Sequence, residues 1–283
     1  MTVPQSVRSV VVRLQPPPEL SRHLAELQVL RSWHEEIARP RHADPKRLLR
    51  CGFKVYSQND EDGIIQEIFR RIGVAHRTFV EFGVQTGVQC NTARLLVDGW
   101  SGLWIEADSA AAAEIRRDFA PFMRAGTLAL QHSVVTAETI EVLIERGGMR
   151  GEVDVLSIDI DYNDYWVWKA IEGIDPRVVI IEYNATLRPP MSMVVPYRSD
   201  GRWDGSNFYG ASLEALVRLG KAKGYRLVGC SIAGVNAFFV RADLCGDRFL
   251  EPATAEEHYE PPRYYFHLLP AGHRSRPGVY VSV

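Results

Sequence analysis

The chain has 283 residues, of which 46% are hydrophobic, and its 33 basic and 35 acidic side chains give a net charge of −2. This size suits one α/β domain with additions, and the balanced charge excludes the clustered positive surface of a nucleic-acid-binding protein. No stretch approaches the roughly 20 apolar residues of a membrane span and no secretion signal opens the chain, so we expect a cytoplasmic protein with no membrane partner.

The first 50 residues differ in character from the rest of the chain. Residues 1–18 are polar and end in three consecutive prolines, which predicts an extended arm. Over residues 19–38 apolar side chains recur at spacings of three and four, which predicts a helix. Two interpretations of this apolar stripe stay open. It packs on its own domain, or it contacts a second subunit in a homo-oligomer.

From about residue 57 the pattern changes to alternating helices and strands. Five apolar runs are predicted to be strands, at 78–83, 102–106, 127–131, 153–160 and 178–183. One helical pattern precedes these strands, with a start at Ser57 and Asp60 or Glu61 and an end at Gly73. Four more lie between the strands, at 91–97, 110–119, 137–146 and 165–171. Near-continuous apolar strands separated by helices predict a parallel sheet that is buried on both faces.

The last elements of this region predict a change of strand direction. A helix over 212–223 is followed by two strands, 225–230 and 237–241, with a turn at Gly234 between them. Such a hairpin after five β/α units predicts a Rossmann-like, doubly wound α/β sheet of seven strands with an antiparallel last strand. We therefore divide the chain into an N-terminal arm and helix (1–50), a central domain (51–245) and a C-terminal tail (246–283).

A glycine-bearing turn follows the first predicted strand. Its glycines, Gly83 and Gly87, allow a ligand to approach the backbone closely at the carboxyl end of the strand, where Glu81 also lies. Gln85 stands where a middle glycine would be expected. Glu106 ends the next strand, 19 residues after Gly87, and an acid at about this spacing usually binds ribose hydroxyls. The glycine turn and Glu106 together predict nucleoside binding. The alternative is that the turn is only structural and that Glu106 is a solvated acid at the end of a strand.

These segments carry a family resemblance. The runs YSQNDEDGIIQEIF, FVEFGVQTGVQCNT and GWSGLWIEAD resemble the FkbM-like class I methyltransferases that use S-adenosylmethionine (SAM), and the match covers roughly residues 50–245. The resemblance implies the class I methyltransferase fold. It also implies that SAM contacts seven residues, namely Glu81, Gly83, Gly87, Glu106, Gln131, His132 and Asp159.

Carboxylates are concentrated after the fourth and fifth predicted strands. Alternation along a strand places Asp159 and Asp161 on one face, and likewise Glu182 and Asn184. Oxygen ligands of this kind suit Mg²⁺, and the arrangement resembles that of metal-dependent catechol and macrolide-sugar O-methyltransferases. That resemblance implies that Asp161, Glu182 and Asn184 bind a divalent cation. The alternative is that Asp161 and Asp164 cap the following helix.

The residues that would bind the methyl acceptor are the least defined by the sequence. Residues 185–210 form a long aperiodic segment that is typical of a lid or binding loop. We expect the general base to be either Asp161 or a histidine of the C-terminal tail, such as His267. The pKa of histidine suits proton removal near neutrality. The alternative for His267 is that it is an ordinary surface residue.

The resemblance implies a SAM-dependent methyltransferase that acts on a hydroxyl of a small acceptor, a sugar or natural product, with or without help from a divalent metal. Two alternatives stay open. One is a nicotinamide-dependent oxidoreductase, against which the missing middle glycine and the final hairpin count. The other is a non-catalytic SAM-fold scaffold protein that recruits a partner through the helix at 19–38.

Overall fold

The computed structural model describes residues 18–267 and 272–283, and the chain divides into two compact units. The first unit, described over residues 18–43, contains helix α1 (Pro18–Ile37), close to the helix predicted over 19–38. Residues 1–17 of the predicted extended arm lie outside the described residues. Leucines 20, 24, 27 and 30 of α1 are exposed, and a subunit contact through this helix stays a prediction.

The second unit, Asp44–Val283, contains the strands. In chain order they are β1 (Thr78–Phe82), β2 (Ser101–Glu106), β3 (Leu128–His132), β4 (Gly151–Ile158), β5 (Ile174–Glu182), β6 (Met193–Val194), β7 (Tyr225–Cys230), β8 (Asn236–Arg241) and β9 (Val281–Ser282). Seven of them form one sheet in the order β3-β2-β1-β4-β5-β8-β7, and β6 pairs separately with β9. β8 runs antiparallel to both β5 and β7, whereas the pairs among β1 to β5 are parallel. This is the predicted class I methyltransferase fold.

Helices cover both faces of this sheet. Their bounds are α2 (Glu61–Ile72), α3 (Ala93–Val97), α4 (Ser109–Asp118), α5 (Ala120–Arg124), α6 (Ile140–Arg146), α7 (Asp164–Ala170), α8 (Leu213–Ala222), α9 (Ala242–Cys245) and α10 (Ala255–His258). The helix predicted over 110–119 ends one residue early and is followed by α5, which the sequence pattern did not indicate. In the described part of the chain, no helix combines the length and apolar character that a membrane crossing requires.

Alternation along the strands explains the two apolar layers. In β1, Phe79 belongs to the apolar cluster that includes residues of α2 and α3, whereas its neighbour Val80 belongs to the cluster that includes residues of α6, α7 and α8. Both side chains are fully buried. The sheet is therefore buried on both faces, as expected for strands that read as near-continuous apolar runs.

The strand order places the ends of β1 and β4 side by side, at the point where the order reverses. The backbone N–H of Asp159, which follows β4, donates to the carbonyl of Phe82 over 3.2 Å. Open α/β sheets bind ligands at this switch point, outside the carboxyl ends of the strands. The fold therefore directs the search for a site to the residues that follow β1, β2, β4 and β5.

Candidate functional site

A cavity of about 680 Å³ opens at the switch point. Residues that follow β1, β2, β3 and β4 line it, and a loop over residues 199–203 borders it. Its volume lies within the range of roughly 300–1,000 Å³ that is usual for small-molecule sites. Of the ten sequence-predicted site residues that the structure describes in full, five line this cavity, namely Gly83, Glu106, His132, Asp159 and Asp161.

Glu106 is the buried acid on the wall of this cavity. Its carboxylate accepts one hydrogen bond from the backbone N–H of Gln85 and one from that of Asp108, both over 2.7 Å. These bonds use one oxygen each, and a carboxylate offers about four acceptor positions. Each oxygen of Glu106 can therefore accept one more hydrogen bond from a ligand in the cavity.

Glu81 has a different environment although it ends the neighbouring strand. Its carboxylate accepts hydrogen bonds from the backbone N–H groups of Asn91 and Thr92, and from the hydroxyls of Thr92 and Ser157. It is 2% exposed and anchors the start of α3 to the sheet. Because four donors already occupy its oxygens, Glu81 has a clear structural role, and its contact with a cofactor stays a prediction.

The two glycines of the turn are required by close packing. A Cβ on Gly83 would lie 1.5 Å from the carbonyl oxygen of Asp159, and a Cβ on Gly87 would lie 2.7 Å from the ring of Trp104. Gly83 borders the 680 Å³ cavity, whereas Gly87 is not among its lining residues. Gln85 adopts a left-handed conformation, with φ of 50°, which is unusual for a residue other than glycine. Its bond to Glu106 holds it there.

The two residues predicted after the third strand have separate roles. The Gln131 side chain donates to the carbonyl of Leu143 over 2.7 Å and is not among the lining residues of the cavity. The His132 ring does line the cavity, with Nε2 3.1 Å from the carbonyl of Ala107. Of the two, only His132 is therefore placed to contact a ligand in this cavity.

Three carboxylates converge beside the cavity. Asp159 and Asp161 follow β4, Glu182 ends β5, and one oxygen of each lies within 4.8 Å of the others. Burial, followed by the neighbouring carboxylates, raises the pKa values of Asp159 and Glu182 well above their usual range. Burial, followed by Glu106, raises the pKa of Asp161. Such a cluster favours either shared protons or a bound cation.

Asn184 lies in a different setting from these carboxylates. Its amide nitrogen donates to the carbonyls of Asn207 and Tyr209, each over 2.9 Å, and its oxygen accepts from the Thr186 backbone N–H over 3.1 Å. The strand ends at Glu182, so the alternation that predicted a shared face does not continue to Asn184. The third member of the cluster is Asp159, and Asn184 holds the long loop in place.

A second, smaller cavity of about 220 Å³ adjoins the first. The two share Gln85, Asp159, Asp161 and Trp203, and Glu182 lines only the smaller one. Four ring-bearing side chains complete its wall, namely Trp203, Tyr209, Tyr264 and His273. This cavity extends from the carboxylates towards the segment 185–210, as a lid or binding loop requires.

The C-terminal tail is bound to this segment. Strand β9 pairs with β6, residues 206 and 274 form a parallel bridge, and Arg276 pairs with Asp204. The pattern of the sequence did not reveal this role, because paired strands of two residues have no detectable periodicity. The side chain of His267, the predicted base, lies outside the described part of the structure, while His273 lines the smaller cavity.

No protein-family model matches the chain, and no curated protein matches it. In structure it is similar to an O-methyltransferase from Bacillus cereus in complex with SAH, at 16% identity over 63% of this chain and 72% of that one, with a TM-score of 0.33. It is similar to the N-terminal domain of EvdMO1 with SAH bound, at 12% identity over 76% and 94%, with a TM-score of 0.41. It is also similar to a putative caffeoyl-CoA O-methyltransferase from Staphylococcus aureus, at 12% identity over 84% and 98%, with a TM-score of 0.41.

Proposed function

We propose that this chain is a SAM-dependent methyltransferase that acts on a hydroxyl of a small acceptor, such as a sugar or natural product. The observation that carries the proposal is the pair of adjoining cavities at the switch point of the sheet. The larger has Glu106 on its wall, and the smaller meets it at Asp159 and Asp161. Two joined cavities provide one place for a methyl donor and one for its acceptor.

The residues of the larger cavity fit SAM. The unused acceptor positions of Glu106 suit a pair of ribose hydroxyls, and His132 is placed for the adenine. Asp159 lies near the backbone of Gly83 and suits the amino group of the methionine part. When bound, SAM supplies an electrophilic methyl group. The protein holds the acceptor oxygen in line with that group, and positioning of this kind accounts for much of the rate in such reactions.

A divalent cation fits the cluster of Asp159, Asp161 and Glu182. Mg²⁺ prefers oxygen ligands and usually binds through one or two carboxylates while it keeps several waters. The Glu182 atom Oε2 is buried and has no hydrogen-bond partner, which leaves it available as a ligand. A bound cation would supply positive charge that stabilises the acceptor oxygen as its proton leaves. We propose this cluster, without Asn184, as the metal site.

The chain also offers a general base for a reaction without metal. Asp161 lines both cavities, and its raised pKa brings it nearer to neutrality than an ordinary aspartate. It would take the hydroxyl proton, while the aromatic wall of the smaller cavity excludes water. His267 remains the second candidate for this role.

Methyl transfer from isotopically labelled SAM to a panel of hydroxylated acceptors tests the proposal. We expect labelled product from at least one polyhydroxylated acceptor. Asp161→Asn should abolish turnover and leave the affinity for SAM nearly unchanged. If activity disappears in excess chelator and returns with Mg²⁺, the cluster binds a metal. If chelator has no effect, the base is Asp161 or His267, and the activity of Asp161→Asn decides between the two. Binding of SAM without transfer to any acceptor would contradict the proposal and favour a scaffold protein.

A further inference from the structure

The smaller cavity is lined by acidic side chains. Of the described residues that line it, Asp159, Asp161 and Glu182 are acidic, and none is lysine or arginine. The Glu182 atom Oε2 is buried without a hydrogen-bond partner. When no metal occupies the cluster, a positively charged group of the acceptor would supply that partner and offset the charge of these carboxylates, whereas a neutral acceptor would leave the charge in place.

Aromatic rings also line this cavity. His273 forms T-shaped contacts with Trp203, Tyr209 and Tyr264, with ring centroids 4.9, 5.9 and 4.8 Å away. Trp203 and Tyr209 also contact each other, at 6.2 Å. Aromatic faces attract cations because the ring quadrupole is negative above its plane. Carboxylates and aromatic rings that line the same cavity therefore form a setting that favours a bound organic cation.

We propose that the acceptor carries a protonated amine beside the hydroxyl that receives the methyl group, and that this amine binds between Glu182 and the ring of Tyr264. The inference rests on the proposed function for the assignment of the smaller cavity to the acceptor. A protonated amine has no lone pair with which to attack the methyl group. The negative surroundings keep it protonated, so it serves recognition and the hydroxyl is methylated.

A matched pair of small probes tests this directly. trans-2-Aminocyclohexanol and trans-1,2-cyclohexanediol have similar shapes and differ in an ammonium or a hydroxyl group. Both would be titrated into the 283-residue chain at about pH 8, where an ordinary imidazole is neutral, with saturating S-adenosylhomocysteine (SAH) in the larger cavity. Measurements in chelator and in Mg²⁺ separate the effect of the metal. We expect the amine to bind about 30-fold more tightly, the size expected of a desolvated cation on an aromatic face.

Two substitutions that lie outside the larger cavity connect this preference to the proposed residues. In chelator, Glu182→Gln removes the carboxyl group proposed to bind the amine and should weaken amine binding roughly tenfold, while binding of the diol stays nearly constant. Tyr264→Leu should reduce the preference, whereas the matched control Tyr264→Phe retains the ring and should preserve it. Retained SAH affinity and an unchanged melting temperature show that each variant is folded.

Three results would overturn the inference. They are equal binding of the two probes, equal behaviour of the Leu and Phe variants at position 264, and competition between the amine and SAH, which would place the amine in the larger cavity. Absence of SAH binding would instead refute the proposed function. The comparison of the two probes without SAH would then still decide whether the smaller cavity binds an amine.

Discussion

Replacing Asp164 with asparagine should make the protein more stable at alkaline pH. Asp164 begins α7, and its Oδ1 accepts the Ile160 backbone N–H over 2.8 Å while its Oδ2 is buried without a hydrogen-bond partner. Burial is the main cause that raises the pKa of this carboxyl from 3.8 to about 7, and the charge of Asp161 adds to it. Asparagine retains the acceptor for Ile160 and removes the charge.

The elevated pKa sets the size and the sign of the effect. Between about pH 4 and pH 7 the folded protein holds a proton on Asp164 that the unfolded chain has released, so the free energy of unfolding falls as pH rises through this window. The full cost, present above about pH 7, is about 4 kcal/mol. About 2–3 kcal/mol of this cost develops between pH 5 and pH 8. Asp164→Asn should remove this contribution.

Urea unfolding followed by tryptophan fluorescence, at pH 5 and at pH 8 in the presence of chelator, measures the free energy of unfolding of the wild type and of the variant. We expect Asp164→Asn to gain stability over the wild type at pH 8 and to gain much less at pH 5. The control Asp98→Asn, at an exposed carboxylate that follows α3, should keep the pH dependence of the wild type. Parallel pH profiles for the wild type and Asp164→Asn would show that Asp164 does not titrate near neutrality in the folded protein.

Three further substitutions separate binding from structure. Glu106→Gln should weaken SAH binding about 10- to 100-fold in a calorimetric titration, because hydrogen bonds to charged groups contribute about 1.5–3 kcal/mol; unchanged affinity would make Glu106 a turn anchor only. Glu81→Gln should instead lower the free energy of unfolding by about 1–3 kcal/mol, and a mutant of wild-type stability would contradict its structural role. Asn184→Ala should also lower stability by about 1–3 kcal/mol, while Mg²⁺ binding, measured by calorimetry, stays at the wild-type level; loss of Mg²⁺ binding in a folded mutant would restore Asn184 as a ligand.

The order of elements followed from the sequence because the signals are local and strong. Continuous apolar runs such as 178–183 fix buried parallel strands, and the turn at Gly234, with φ of 74°, separates the two strands of the final hairpin. The spacing of Glu106 after the glycine turn likewise indicated a residue on the cavity wall. These features are local in the sequence, so the side-chain pattern of one strand and the turn after it is enough to predict them.

The sequence does not determine the finer features of the site, which depend on tertiary contacts. Glu81 is engaged by donors ten and eleven residues later, in a turn that no periodicity describes. Asn184 was grouped with Glu182 by strand alternation, although the strand ends at Glu182. His273 reaches the smaller cavity because the tail pairs with the segment 185–210, and contacts between such distant segments leave no trace in a single sequence.

A calorimetric titration of the 283-residue chain with SAH decides whether the cavity beside Glu106 binds the cofactor. We expect saturable binding at one site per chain, which is competed by SAM and weakened by Glu106→Gln but not by Glu182→Gln. Titration with the reduced nicotinamide cofactor should give no binding. Absence of SAH binding to folded protein, or binding of the nicotinamide cofactor in its place, would contradict the claim that the cavity beside Glu106 holds SAM.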